Sequence, residues 1–185
     1  CEMCIRDRTT ANAYKTIQAP GSLDGILAIF DSTGNRRYAT FFGTVLLDQF
    51  YDITTDGAGK LFIVGETFSE DSIATPGAYQ TVHQSPNQRD GMLLSFDTSG
   101  TLLWSTYFGG GNSEICRVIR YINDGHLIFG GYTYSNNRIS TADAIKPVLL
   151  DAIDGFYGIM GTDGSLKYAS YFGGNNNDLL FSVYG

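Results

Sequence analysis

Short apolar runs alternate with turn-forming clusters along the chain, and the runs recur. In the stretch from Asp90 to Gly109, a run from Met92 to Phe96 leads into the turn Asp97-Thr98-Ser99-Gly100. A second run follows, from Leu102 through Trp104 to Phe108. The pattern predicts a β-hairpin: the Asp97 carboxylate can accept backbone N–H bonds, and Gly100 can take a positive φ where the chain reverses. The hairpin recurs as 24–43 and 154–173, so its copies begin 66 and 64 residues apart, at Asp24, Asp90 and Asp154. Each copy is followed by signals for two more strands. After the first these lie near Phe50–Thr54 and Lys60–Glu66, about the turn Asp56-Gly57-Ala58-Gly59. After the second they lie near Cys116–Tyr121 and His126–Tyr132, about Asn123-Asp124-Gly125. A Thr-x-x-Ala segment also recurs, at Thr10, Thr75 and Thr141. Thr75 before Pro76 suits an N-cap and a first helical position, which predicts single helical turns, the third limited by Pro147.

The runs 61–65 and 127–131 are almost continuously apolar rather than alternating, as expected of strands covered on both faces. Four-stranded antiparallel units stacked between like neighbours produce that pattern, with glycines where backbones crowd. The expected fold is therefore all-β: a partial β-propeller of about three four-stranded antiparallel blades of a larger ring. A flat solenoid of the same units is the weaker alternative. Residues 1–9 read as a lead-in or preceding loop and 10–43 as the back half of a blade. Blades follow at 44–109 and 110–173, and 174–185 starts the next. The chain begins at Cys1 and stops partway through an expected strand, so it reads as a piece of a longer protein or a processed form. Rings take about four to eight blades. The remainder of the chain, or other subunits, must then cover the strand edges and apolar faces left at each end, and the segment alone is expected to be marginal or sticky.

The phrases DGILAIFDSTG, RRYATFFG, KLFIVGET and ATPGAYQT resemble the bacterial repeat family named the seven-bladed β-propeller, or SBBP, repeat, and the likeness runs from Thr10 to the end. The resemblance implies a propeller in large exported or surface proteins, often of Bacteroidota using type IX secretion, and implies no catalytic residues. The chain departs from the family pattern at Gly161, where the other turns have Asp31 and Asp97, and at Phe42, Phe108 and Phe172, where Leu is commoner.

Charge narrows the partners. A formal net charge of −7 and a pI near 4.6 argue against nucleic acid or an anionic membrane, which need a basic footprint. No apolar run approaches the roughly 18 residues that span a bilayer. Cys1-x-x-Cys4 has the spacing of a redox pair or half a zinc site but no second pair, leaving a disulfide, a lipid-bearing Cys1 or a metal as readings. Cys116 falls where the other repeats have Phe50 and Leu180, so it is expected as a small buried apolar side chain.

Few residues suggest chemistry. Asp48, Glu114 and Asp178 each stand five positions after a hairpin glycine and can offer oxygen ligands to calcium, or can bond their own turns instead. Asp24, Asp90 and Asp154, each followed by glycine, recur in every copy and read as fold devices. His83 and His126 have no repeated counterpart; His126 reads as a structural residue. The spacing Asp97-x-x-Gly100-x-x-x-Trp104 resembles the docking motif of quinoprotein propellers, but Tyr38 and Tyr168 hold the equivalent positions. A sialidase Asp box would need one residue fewer. No hydrolase, zincin or phosphate-loop motif is present. The expected function is a non-catalytic scaffold, or a protein- or glycan-interaction module, of a secreted or cell-surface bacterial protein without catalytic, cofactor or metal residues. Loops 84–89 and 135–140 are its candidate contact surface. The alternative is a carbohydrate-active or oxidoreductase propeller whose catalytic residues lie in other blades.

Overall fold

The computed structural model describes residues 9–122 and 124–184, and Cys1 and Cys4, with all but Thr9 of the expected lead-in, lie outside them. The structure is all-β, with antiparallel sheets of two, four and four strands. β1 (Gly25–Phe30) pairs with β2 (Arg36–Phe42). The second sheet runs in sequence order through β3 (Asp48–Thr55), β4 (Lys60–Thr67), β5 (Asp90–Asp97) and β6 (Leu102–Phe108). The third does the same through β7 (Glu114–Ile122), β8 (His126–Thr133), β9 (Asp154–Gly161) and β10 (Leu166–Phe172).

The middle sheet explains the continuous apolar runs. Ile63, Met92, Leu94 and Phe96 pack with Leu27, Tyr38 and Phe42 of β1 and β2. Phe62, Val64, Leu93 and Phe108 pack with Cys116, Ile119, Leu127, Phe129 and Phe156 of the third sheet. Adjacent residues thus enter different cores, and each fully buried side chain of this size contributes about 1.5–3 kcal/mol. β7 lies across β3, β4 and β5, and equivalent side chains crowd the contact. In the first two units the glycine after the repeated Asp lies against the next unit's first strand: a Cβ on Gly25 would stand 2.8 Å from the Phe50 ring, and one on Gly91 2.5 Å from Cys116 Sγ. Cys116 is fully buried, and burial pushes its thiol well up. A thiol reagent should therefore leave it unmodified until denaturant is added; rapid labelling at Cys116 in the folded protein, located by peptide mapping, would contradict this packing.

The Thr-x-x-Ala segments are not helical turns. Each closes one β-turn, Ala13 N–H to Thr10 O at 3.0 Å, Ala78 to Thr75 at 3.2 Å and Ala144 to Thr141 at 3.1 Å, and no residue among those described is helical. The threonine explains the difference. Its amide and hydroxyl bond the outer strand rather than cap a following turn: Thr75 N–H donates to Ser105 O at 2.9 Å, and Ser105 N–H to Thr75 Oγ1 at 3.1 Å. Gly77, at φ +80°, then turns the chain out of any helix. The loop runs on along the same strand, with Phe41, Tyr107 and Tyr171 N–H each donating at 3.1 Å to Lys15, Gln80 and Lys146 O. The exposed edges of β2, β6 and β10 are thereby covered.

Candidate functional site

That loop delivers Lys15, Gln80 or Lys146 to one rim of the sheets, beside the repeated aspartate. Lys15 Nζ stands 2.7 Å from Asp24 Oδ2 and Lys146 Nζ 2.8 Å from Asp154 Oδ2, both acids being fully buried. In the middle unit Gln80 Nε2 donates instead to buried Asp90 Oδ2 at 3.2 Å. A serine hydroxyl serves the other oxygen in two units, Ser22 on Asp24 and Ser85 on Asp90. In the third unit no such serine is found, and Asp154 Oδ1 has no hydrogen-bond partner among the described residues.

A second acid approaches from the start of the next unit. Asp48 accepts Thr44 N–H at 2.8 Å and Ser69 Oγ–H at 2.9 Å, with Thr67 on its other oxygen. Glu114 accepts Gly110 N–H at 2.8 Å and Thr133 Oγ1–H at 2.6 Å, and Asp178 accepts Gly174 N–H at 2.7 Å. The hairpin glycine leaves them room. A Cβ on Gly109 would stand 2.9 Å from Asp90 Oδ1 and under 3.0 Å from Glu114 Oε2, and one on Gly173 2.9 Å from Asp154 Oδ1 and 2.6 Å from Asp178 Oδ2. The calcium candidates Asp48, Glu114 and Asp178 are therefore not gathered together. Each pairs across a junction, bonded by its own loop. Among the described residues, no group of three or more His, Cys, Asp or Glu is placed to hold a metal ion.

Burial pushes Asp48 and Asp90 up, and it pushes Glu114 up to about 7, with the Asp90 charge adding to it. Because Gln80 replaces the lysine, the Asp90–Glu114 pair has no ammonium against it among the described residues. His83 Nε2 lies 3.9 Å from Asp90 Oδ1. A carboxyl raised by the fold adds stability that is full below its ordinary value near 4.5 and is lost as pH rises through about 7. The melting temperature should then fall between about pH 5 and about pH 8, and Gln80→Lys should reduce that fall. An equally steep fall in Gln80→Lys would contradict the assignment.

The opposite rim carries a second junction. Tyr38 Oη–H donates to Gly100 O at 2.9 Å, and Trp104 Nε1–H donates to Thr162 O at 3.0 Å, each aromatic reaching the hairpin turn of the next sheet. Gly100 and Gly164 have φ of +95° and +84°, and a Cβ on either would fall under 3.0 Å from the docked ring. The third aromatic, Tyr168, accepts Ile145 N–H at 2.9 Å, as Tyr38 accepts Tyr14 N–H at 3.0 Å. No following turn lies against it among the described residues.

The departure at Gly161 is compensated locally. Asp97 Oδ1 accepts Ser99 and Thr101 N–H at 2.9 Å each. In the third hairpin Asp163 takes that role, accepting Ser165 N–H at 3.0 Å, with its Oδ1 2.5 Å from where a Cβ on Gly161 would be. These bonds, the Ser165 hydroxyl first, hold Asp163 below the usual carboxylate range. Asp163→Ala should cost about 1 kcal/mol in urea unfolding; no loss would show the turn indifferent to it.

Sequence reasoning missed one stripe. Register shifts at Phe50/Asp52 and Cys116/Val118 leave Tyr51 and Arg117 unpaired at equivalent bulges, and Phe181 holds the third such position. The Arg117 guanidinium lies 4.1 Å from the Tyr51 ring centroid and 5.8 Å from that of Phe181. Here the repeat is asymmetric, and a repeat alignment could have flagged Tyr, Arg and Phe at one position. Nearby Arg89 Nη1 donates to Glu66 Oε2 at 2.9 Å, and burial with the Glu66 charge pushes the Tyr51 hydroxyl up to about 12.

The remaining candidates have structural surroundings. His83 is buried edge-on to Tyr107 beside Asp90, an acid its sequence context did not show, and His126 Nδ1 lies 2.9 Å from Oδ1 of Asp124 in the turn just before it. Ser85, Ser135 and Ile139 of the two proposed contact loops are buried. The outer face of the third sheet is open. Phe172 is 59% exposed, whereas its equivalents Phe42 and Phe108 are 1% and 0% exposed. Ile128, Ile145, Tyr157, Phe172 and Leu180 line a groove of about 640 Å³ there. No helix among the described residues is long and apolar enough to cross a membrane. No protein-family model matches the chain, and no curated protein matches it.

Proposed function

We propose that the chain is an arc of a β-propeller of the SBBP-repeat kind, a non-catalytic module of an exported or cell-surface bacterial protein. In this reading it is a scaffold that presents a surface to a protein or glycan. The carrying observation is that the two sheet-to-sheet junctions use equivalent parts: a buried carboxylate pair at one rim, an aromatic side chain on a turn glycine at the other, and Phe42 or Phe108 between them. The repeated acids are occupied by junction and loop bonds, which supports a stacking role over a chemical one. The closest approach between the four-stranded sheets is at β7 against β3, β4 and β5, as wedge-shaped stacking about the first strands requires. In this reading a further repeat, from the rest of the chain or another subunit, covers the open face at Phe172. Electron microscopy of the chain joined to further copies of its repeat tests the reading. Closed rings with a central channel are expected. Straight rods would favour the solenoid, and a defined catalytic turnover by the joined protein would contradict the non-catalytic assignment.

A further inference from the structure

Three of the described arginines have acidic partners: Arg37 with Asp31 at 2.8 Å, Arg89 with Glu66 at 2.9 Å, and Arg120 with Asp52. Arg117 differs. Its guanidinium lies over the Tyr51 ring and has no hydrogen-bond or ion-pair partner among the described residues, although the chain carries a net charge of −7. A guanidinium over a ring face spends none of its N–H groups on the ring, and those groups form the fork that suits a carboxylate. Aromatic rings continue from it. Phe181 lies 5.8 Å from the guanidinium, Tyr132 lies 6.3 Å from Phe181, and Tyr134 lies 6.5 Å from Tyr132. Tyr134 and Phe181 are exposed. The row therefore offers one unsatisfied cation beside accessible apolar ring faces, placed by the bulge that turns residue 117 out of the β7–β8 ladder.

We propose that Arg117 and the flanking aromatic row Tyr51, Phe181, Tyr132 and Tyr134 form a binding site for a single carboxylate-bearing sugar unit of a glycan, a contact that needs one guanidinium and no basic footprint. Arg117 takes the carboxylate in a two-point hydrogen bond, and the tyrosine and phenylalanine faces take the C–H faces of the sugar rings. An acidic peptide shares the carboxylate but gains little from the row of rings, which is why the site is assigned to a sugar acid. Arg89 is committed to Glu66, with Nη1 2.9 Å from Oε2. The inference deepens the interaction-module reading and rests on it only for the class of ligand, since the stripe lies within the chain itself.

The test is titration of the full chain with an oligogalacturonate, an uncharged galactose oligomer and a polyglutamate peptide, at low and moderate salt. The expected result is saturable binding of the oligogalacturonate alone. Arg117→Gln should weaken it by about tenfold or more, the loss of a charge-assisted bond. Arg117→Lys should weaken it too, because the ammonium keeps the charge but not the fork. Tyr134→Ala, at an exposed position, should weaken it several-fold without changing the far-ultraviolet circular dichroism. No binding of the oligogalacturonate would overturn the proposal. Equal binding of polyglutamate, or affinity unchanged in Arg117→Gln, would overturn it as well. Ring formation in the microscope is independent of these outcomes, so failure here leaves the propeller reading to be judged separately.

Discussion

Gly131→Ala is expected to cost on the order of 3 kcal/mol or more, and Gly65→Ala a similar amount. At both positions an added Cβ would fall under 3.0 Å from a backbone carbonyl, Ile115 O in one case and Gln49 O in the other. Those carbonyls belong to the bulged strands, which cross the glycine where Cys116/Val118 and Phe50/Asp52 lose register. A side chain can rotate away, but a carbonyl in a ladder moves only with its strand. Urea unfolding of each variant measures the loss. A change below about 1 kcal/mol would show that the bulge relaxes freely. Gly125→Ala is the contrast. It has a positive φ of +87° and open space around its Cβ, so its cost should be about 1 kcal/mol and purely conformational.

Phe108→Ala and Phe172→Ala are expected to separate widely although the two residues hold one repeat position. The Phe108 ring lies 5.0 Å from that of Phe129 and 5.1 Å from that of Phe156, fully buried between two sheets. Its truncation removes transfer energy and leaves a cavity, about 3–5 kcal/mol together. Phe172 is 59% exposed, so Phe172→Ala should change the stability of this chain by under about 1 kcal/mol and improve its solubility. Thermal and urea unfolding of both variants decide it. Equal losses would mean that Phe172 is covered in solution or that the junction at Phe108 carries little of the stability.

Much of this fold was legible because its signals are local. Apolar runs, turn glycines and the repeat offsets located strands that the structure extends by only a residue or two, as at Asp48–Thr55 and Glu114–Ile122. The recurring Asp-Gly pairs marked the junctions but not their mechanism. Asp90 needs Glu114 and Gly109, and Gly91 needs Cys116, all contacts between units. The Lys15, Gln80 and Lys146 series stands five positions after each repeated threonine and was readable from an alignment of the copies. The helical turns were misread because Thr75 satisfies an outer strand rather than a helix end, a choice that only the third dimension decides. Aligning the copies shows Tyr51, Arg117 and Phe181 at one position, but the face they share was hidden for the same reason. A one-residue bulge reverses which face a side chain joins, and nothing in the local pattern marks it.

The central claim is that equivalent junctions stack these units and that a further repeat covers the open face. Hydroxyl-radical footprinting of Phe172 tests it most directly, comparing the chain as it stands with one lengthened after Gly185 by another copy of the repeat. Phe172 should be oxidised readily in the first and protected to the level of Phe108 in the second. Equal oxidation of Phe172 in both, with the lengthened chain folded by circular dichroism, would contradict the stacked-repeat account.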